Sequence, residues 1–246
     1  MTDAETQDLE SLDAFLADGL ISEVVGPVKR GKEATVYCCR GSVWSGRELV
    51  AAKIYRPIEQ RSFRDDAVYQ PGRNRALYGS DLRALERKSR QGRKVQYGVW
   101  LHSEYETLRL LYAAGSDVPE PISCSARAIL MEFIGELGAP APMLNRVELG
   151  SEARECFERV IDNVALWLRH DRVHADLSPY NILYWQGRLV AIDFPQAIDP
   201  RFNPNARALL GRDLENVCRY FSRFGVRADP DRIAGDLWRS YRFSAL

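Results

Sequence analysis

The sequence predicts an α+β fold in two lobes, a β-rich N-lobe followed by a mainly helical C-lobe. Two observations carry this. Strand-like runs at about 21–29, 34–41 and 47–55 crowd into the first quarter of the chain, separated by Gly31 and by Gly41 to Gly46. Helical periodicity at about 151–170, 206–224 and 230–242 then dominates the end, the last two helices being separated by Gly225 and Pro230. The expected division is an N-terminal helical extension over 1–20, an N-lobe over 21–134 and a C-lobe over 135–246.

Taken in order, Leu9, Leu12, Phe15 and Leu16 predict a helix over 8–18 that stops at Gly19. The three strands follow as an antiparallel meander. From Arg56 to Lys94 the pattern fails: eleven Lys/Arg stand against five Asp/Glu with few aliphatic residues. This segment reads as a basic loop with a short helix near 80–90. A helix is expected over 100–114, ended by Gly115, then a strand pair around 121–134. Gly138-Ala-Pro-Ala-Pro142 reads as the joint between lobes. Two further strands, Ile182 to Trp185 and Leu189 to Ile192, join through Gln186-Gly187.

Composition excludes several classes. The 246 residues carry 46% hydrophobic and 28% charged side chains with no net charge, so no global field gathers nucleic acid or a membrane. No apolar run is long enough for a transmembrane helix, and the acidic N-terminus does not read as a signal peptide. Five cysteines, Cys38, Cys39, Cys124, Cys156 and Cys218, show no CxxC spacing and fit reduced thiols in the cytoplasm. Three histidines make no zinc pattern.

The chemistry concentrates in His174-Ala-Asp-Leu-Ser-Pro-Tyr-Asn181 and Ile192-Asp-Phe194. An aspartate in a loop by itself signals only a cap or a solvated turn. Here an aspartate, an asparagine and a second aspartate stand at the spacing that phosphoryl transfer from ATP requires. Asp176 can orient an attacking oxygen, while Asn181 and Asp193, returned to one end by the hairpin, can hold magnesium.

A lysine in a strand, Lys53 in Leu49-Val-Ala-Ala-Lys-Ile-Tyr55, can neutralise phosphates if a carboxylate holds it. Glu104 falls on the same helical stripe as Leu101, Leu108 and Leu111, where an unpaired carboxylate is costly, so it is the expected partner. The turn Lys29-Arg-Gly-Lys-Glu-Ala-Thr-Val-Tyr37 lacks GxGxxG, yet Gly31 permits close backbone approach. Gly31, Lys32, Glu33, Ala34 and Val36 are therefore phosphate-side candidates. In Ile129-Leu-Met-Glu-Phe-Ile-Gly135, Met131, Glu132 and Ile134 are candidates for the adenine side, although a plain buried strand explains the same apolar residues.

These motifs together resemble the RIO family of atypical serine/threonine protein kinases, from about residue 20 to 240. The specific parts are Gly31 to Tyr37, the long insertion between Lys53 and Glu104, the octapeptide at 174–181, and Ile192-Asp-Phe-Pro-Gln-Ala197. The resemblance implies a two-lobed protein-kinase-like fold with a reduced C-lobe and no activation segment. It implies ATP bound between lobes with Mg2+, for which Mn2+ can substitute. Asp176 becomes the catalytic aspartate, Asn181 and Asp193 the metal ligands, and Lys53 with Glu104 the phosphate-positioning pair. In some members the aspartate matching Asp193 is itself phosphorylated during turnover.

Departures from ordinary kinases are informative. Ala175 replaces the arginine that pairs with an activation-loop phosphate, and Pro195 replaces the glycine after Asp-Phe. Only 53 residues follow Asp193, without Ala-Pro-Glu, so regulation is expected to run by another route. Asp213 either hydrogen-bonds the catalytic loop or is a plain helix-terminal charge. The basic segment 56–94 is either a solvated tether or a contact for RNA, a ribosomal subunit or an acidic partner, and Ser62, Ser80 and Ser89 on it are candidate autophosphorylation sites. Four functions compete: a Ser/Thr protein kinase acting on protein and on itself, an ATPase switch working through a phosphorylated Asp193, a small-molecule kinase and, last, a non-catalytic scaffold, against which the joint presence of Lys53, Glu104, Asp176, Asn181 and Asp193 stands.

Overall fold

The computed structural model describes residues 3–56 and 90–244. Among these, two compact units are distinguished: one of 3–56, 90–106 and 119–140, the other of 107–118 and 141–244.

The first unit is built on a five-stranded antiparallel sheet. Its strands are β1 (Ile21–Arg30), β2 (Ala34–Gly41), β3 (Leu49–Tyr55), β4 (Pro121–Cys124) and β5 (Ala128–Glu132). The spatial order is β1-β2-β3-β5-β4, which puts β3 at the centre. As a central strand, Leu49 to Tyr55 is an apolar run broken only by Lys53. One face of β3 (Val50, Ala52, Ile54) packs with Leu12, Phe15, Ile21, Tyr37 and Cys39 into a core. Because side chains alternate, Ala51, Lys53 and Tyr55 point to the other face.

The expected helix over 8–18 is two helices, α1 (Asp3–Glu10) and α2 (Asp13–Ala17). Ser11 interrupts it: its hydroxyl bonds back to the Gln7 carbonyl, and the amides of Ser11 and Leu12 reach Asp8 and Leu9, three residues back. The helix expected over 100–114 is α3 (Arg90–Ala113), ten residues longer at its start. Its first turns lack the apolar stripe from which a helix is recognised, but Arg, Gln and Lys are good helix formers. Residues 90–94 of the expected basic loop are thus helical. The rest of that loop, the expected helix over 80–89 and Ser62, Ser80 and Ser89 lie outside the described residues.

The second unit holds a 3-10 turn (Leu144–Arg146) and helices α4 (Ala153–Arg169), α5 (Ala206–Ser222) and α6 (Pro230–Ser244). A small hairpin of β8 (Ile182–Trp185) and β9 (Arg188–Ala191) completes it, β6 (Gly135–Glu136) and β7 (Ala139–Pro140) belonging to the first unit. The apolar faces of α4 and α5 are regular. Ala153, Cys156, Phe157, Val160, Val164, Trp167 and Leu168 are buried on the first, and Leu209, Leu210, Leu214, Val217, Cys218 and Phe221 on the second. The hairpin turns on Gln186 and Gly187, both at positive φ (49° and 79°), the conformation that two-residue turns need to match strand twist. No helix among the described residues is long and apolar enough to cross a membrane. All five cysteines are free.

Candidate functional site

In the first unit, the register of the sheet fixes Lys53 opposite Val36 on β2 and opposite Ile129 on β5. Its Nζ meets Glu104 Oε1 at 2.7 Å, and the two side chains are only 12% and 1% exposed. The pairing expected from the apolar stripe is therefore present, and it is dry. The sequence did not disclose its third member. The Tyr55 hydroxyl donates to Glu104 Oε2, and its ring lies 5.0 Å from Lys53 Nζ and packs edge-on against Trp100. Tyr55 is two residues from Lys53 on the same strand face, which is the only signal that could have found it.

The loop between β1 and β2 brings Gly31, Lys32 and Glu33 around a tight turn. Gly31 N–H donates to the Ala34 carbonyl at 2.8 Å, and a Cβ at residue 31 would lie 3.1 Å from that oxygen. Arg56 N–H donates to the Glu33 carbonyl, tying this turn to the end of β3. Ala34 and Val36 are on β2.

Of the adenine-side candidates, Met131 is buried on β5 opposite Ala51, and Ile134 is buried just beyond the strand. Glu132 is buried with its N–H donated to the Glu120 carbonyl at 2.8 Å. Its carboxylate accepts from Arg47 at 3.3 Å, and the same guanidinium holds Glu120 at 2.5 Å. Arg47 is more than 70 residues from both partners, and nothing in the local pattern announces it.

The second unit carries the loop from Val173 to Asn181. Val173 pairs with Ile198 through two backbone bonds, so the segments before Asp176 and after Asp193 run side by side. His174 is 2% exposed and packs between Trp167 and Phe194. Asp176 N–H donates to His174 Nδ1, so that nitrogen carries no proton and Nε2–H donates to the Ile192 carbonyl at 3.2 Å. One imidazole thus braces both halves of the motif.

Asp176 itself is exposed. Asn181 Nδ2 donates to the Asp176 carbonyl at 2.9 Å and lies 3.4 Å from its Oδ2. Ile192 N–H donates to the Asn181 carbonyl, continuing the hairpin pairing and placing Asp193 one residue from Asn181's partner. Asp193 and Ala175 have φ of 72° and 65°. Such backbone costs about 1–3 kcal/mol per residue and persists where the surroundings over-determine it, which is common at functional sites.

The alternatives for Asp213 resolve in favour of the loop. It is 1% exposed, and its carboxylate accepts from Ala175 N at 2.7 Å and Leu177 N at 2.9 Å. Burial pushes its pKa up to about 7, against the opposing pull of those two amides. Arg212 and Asn216 also reach the loop, and sequence reasoning passed over both.

The donor set fits magnesium. With Nδ2 of Asn181 committed to Asp176, the amide's orientation leaves carbonyl Oδ1 as a hard oxygen donor, and Asp193 supplies a carboxylate. Among the described residues no three His, Cys, Asp or Glu side chains gather as a metal cage. Magnesium bound along with phosphates needs only one or two carboxylates and keeps its waters, so this does not weigh against it.

A sheet with a buried Lys–Glu pair on its central strand, and a helical unit with a braced Asp–Asn loop, define a protein-kinase-like fold. The comparisons agree. A family model described as the RIO domain matches residues 35–233. The RIO-type serine/threonine-protein kinase Rio1 of Haloferax volcanii is 33% identical over 219 residues, 89% of this chain and 70% of that protein. Rio1 of Thermoplasma acidophilum is 33% identical over 189 residues, 77% of this chain and 93% of that protein. The human serine/threonine-protein kinase RIO1 is 35% identical over 86% of this chain, which spans only 35% of the human protein. Among solved structures, the Rio2 kinase–ADP/Mg2+–phosphoaspartate complex from Chaetomium thermophilum matches with a TM-score of 0.69 at 22% identity, covering 92% of this chain and 64% of that one. The chain belongs to the RIO family of serine/threonine-protein kinases.

Proposed function

We propose that this chain transfers the γ-phosphoryl group of ATP, with Mg2+, to Ser/Thr hydroxyls of protein, itself included. The observation that carries the reading is the loop in which exposed Asp176 is pinned by Asn181 and braced through His174 to the segment bearing Asp193. Asp176 orients the acceptor hydroxyl and takes its proton as the new P–O bond forms and the bond to the ADP oxygen breaks. Lys53, held by Glu104 and Tyr55, neutralises the α- and β-phosphates. Gly31 closes the turn and lets a phosphate approach its backbone closely, with the Lys32 and Glu33 amides at its tip, Ala34 at the start of β2 and Val36 on the strand behind. Met131, Glu132 and Ile134 line the adenine. Asn181 and Asp193 hold the metal, which screens phosphate charge when bound.

A second reading has one specific support. The Rio2 complex named above contains a phosphoaspartate, and Asp193 has strained backbone of the kind found where a reacting group is aimed. In that reading an Asp193 carboxylate oxygen attacks the γ-phosphorus, ADP leaves, and water later hydrolyses the acyl phosphate. The cycle would then act as a switch on a bound partner. A ribosomal subunit is one candidate for that partner, since the basic segment 56–94, with eleven Lys/Arg against five Asp/Glu, has the charge to contact RNA phosphates.

Incubating the purified protein with γ-labelled ATP separates the two. Acid-stable label on Ser or Thr supports transfer to protein. Label that hydroxylamine releases, alongside mostly free phosphate, supports the switch. Label in neither form, with no free phosphate, contradicts both.

A further inference from the structure

We infer that Arg212 and Asn216 are positioning residues for Asp176, forming with Asp213 a grip on the catalytic loop that requires no phosphate to close it. The inference rests on the reading of Asp176 as the catalytic aspartate.

The two residues flanking Asp176, Ala175 and Leu177, are completely buried and offer two N–H and two C=O groups. A side chain of α5 meets every one of the four. The Asp213 carboxylate takes both N–H groups, at 2.7 and 2.9 Å. Arg212 Nη2 donates to the Ala175 carbonyl, and Asn216 Nδ2 donates to the Leu177 carbonyl at 3.1 Å. Residues 212 and 216 are i and i+4 neighbours on one face of the helix with 213 beside them, so a single rigid element holds both sides of Asp176. The Asn216 amide is itself oriented, since its Oδ1 accepts from Arg219 Nη2 at 2.5 Å and Nδ2 is left to face the loop.

The loop needs such support. Ala175 has φ 65°, a left-handed conformation unfavourable for any residue with a Cβ. Where an arginine occupies this position, the cation belongs to the loop and waits for a phosphate on the activation segment. Here the side chain is a methyl group. The guanidinium comes instead from α5, and its partner is a backbone carbonyl, which is always present. A charge-assisted bond to a carbonyl is stronger than a neutral one. Loop assembly is therefore built into the fold rather than made conditional on modification.

The test measures ATP turnover and thermal unfolding for Arg212→Ala, Arg212→Lys and Asn216→Ala, with exposed Arg207→Ala on the same helix as control. Arg212 is exposed, so its truncation leaves no cavity. The grip requires kcat to fall roughly ten- to hundredfold in Arg212→Ala, the scale of a misplaced catalytic group. KM for ATP and the unfolding temperature should hardly move, and Arg212→Lys should recover part of the loss. In an Asp176→Ala background, Arg212→Ala should cost nothing further, because it acts through Asp176. An unchanged kcat in Arg212→Ala, or an additive loss beside Asp176→Ala, overturns the grip while leaving Asp176 catalytic. Wild-type turnover in Asp176→Ala alone would instead remove the reading beneath it.

Discussion

Breaking the Lys53–Glu104 pair from one side should be far more damaging than removing it whole. At 2.7 Å and an effective dielectric of about 20, the gross attraction is roughly 6 kcal/mol. Desolvating two ions at 12% and 1% exposure offsets most of that, so replacing both with apolar groups of similar volume is expected to cost little beyond the about 1 kcal/mol of the Tyr55 hydroxyl left without its acceptor. Glu104→Ala alone leaves a buried ammonium without its counter-ion and the Tyr55 hydroxyl without its acceptor. Breaking one side of such a pair costs about 3–5 kcal/mol, with about 1 kcal/mol of it from the tyrosine bond. Urea unfolding followed by tryptophan fluorescence gives the four corners of a cycle: wild type, Glu104→Leu, Lys53→Met and the double variant. The coupling should be several kcal/mol, with the double variant the more stable of the altered forms. All three should lose ATP turnover. Additive losses, or a Glu104→Leu cost below about 1 kcal/mol, would mean that the pair behaves as an exposed one and that the dry geometry is wrong.

Three further outcomes follow from the same structure. Asp213 titrates near 7 rather than 3.8, so the native state binds a proton that the unfolded chain has already released. Its contribution to stability is full below about pH 4 and is lost as pH rises through 7. Relative to Asp213→Asn, wild type should therefore lose on the order of 4 kcal/mol across that window, and a flat difference in urea titrations would refute it. Burial pushes all five thiols up, Cys39 to about 12 and Cys124 to about 11, so native protein at pH 8 should react slowly with a disulfide reagent while unfolded protein yields five thiols at once. Rapid native labelling of two or more would contradict that. Gly31→Val places carbon where 3.1 Å separates it from the Ala34 oxygen; KM for ATP should rise several-fold, on the order of 1 kcal/mol of binding, without loss of fold. An unchanged KM would remove this turn from the phosphate site.

What the sequence disclosed and what it withheld divide along physical lines. Strand β3, the apolar stripe around Glu104 and the Gln-Gly hairpin at 186–187 are local patterns, readable because burial repeats at a fixed period. The octapeptide at 174–181 was readable because its chemistry is confined to eight adjacent positions. Tyr55 on Glu104, and Arg47 between Glu120 and Glu132, join residues 49 to 85 positions apart with no periodic trace. Arg212 and Asn216 look like ordinary polar helix residues until the fold brings them to Ala175 and Leu177. The break at Ser11 and the early start of α3 at Arg90 turn on side-chain back-bonding and intrinsic propensity, both weaker signals than periodicity.

The central claim is that Asp176 and Asp193 run phosphoryl transfer from ATP. Its most direct test is a time course with γ-labelled ATP and magnesium, with wild type beside Asp176→Ala and Asp193→Ala, counting free and protein-bound phosphate together. The account predicts turnover by wild type, nucleotide binding retained but transfer removed in Asp176→Ala, and magnesium-dependent turnover abolished in Asp193→Ala. Turnover at the wild-type rate in either variant would contradict it.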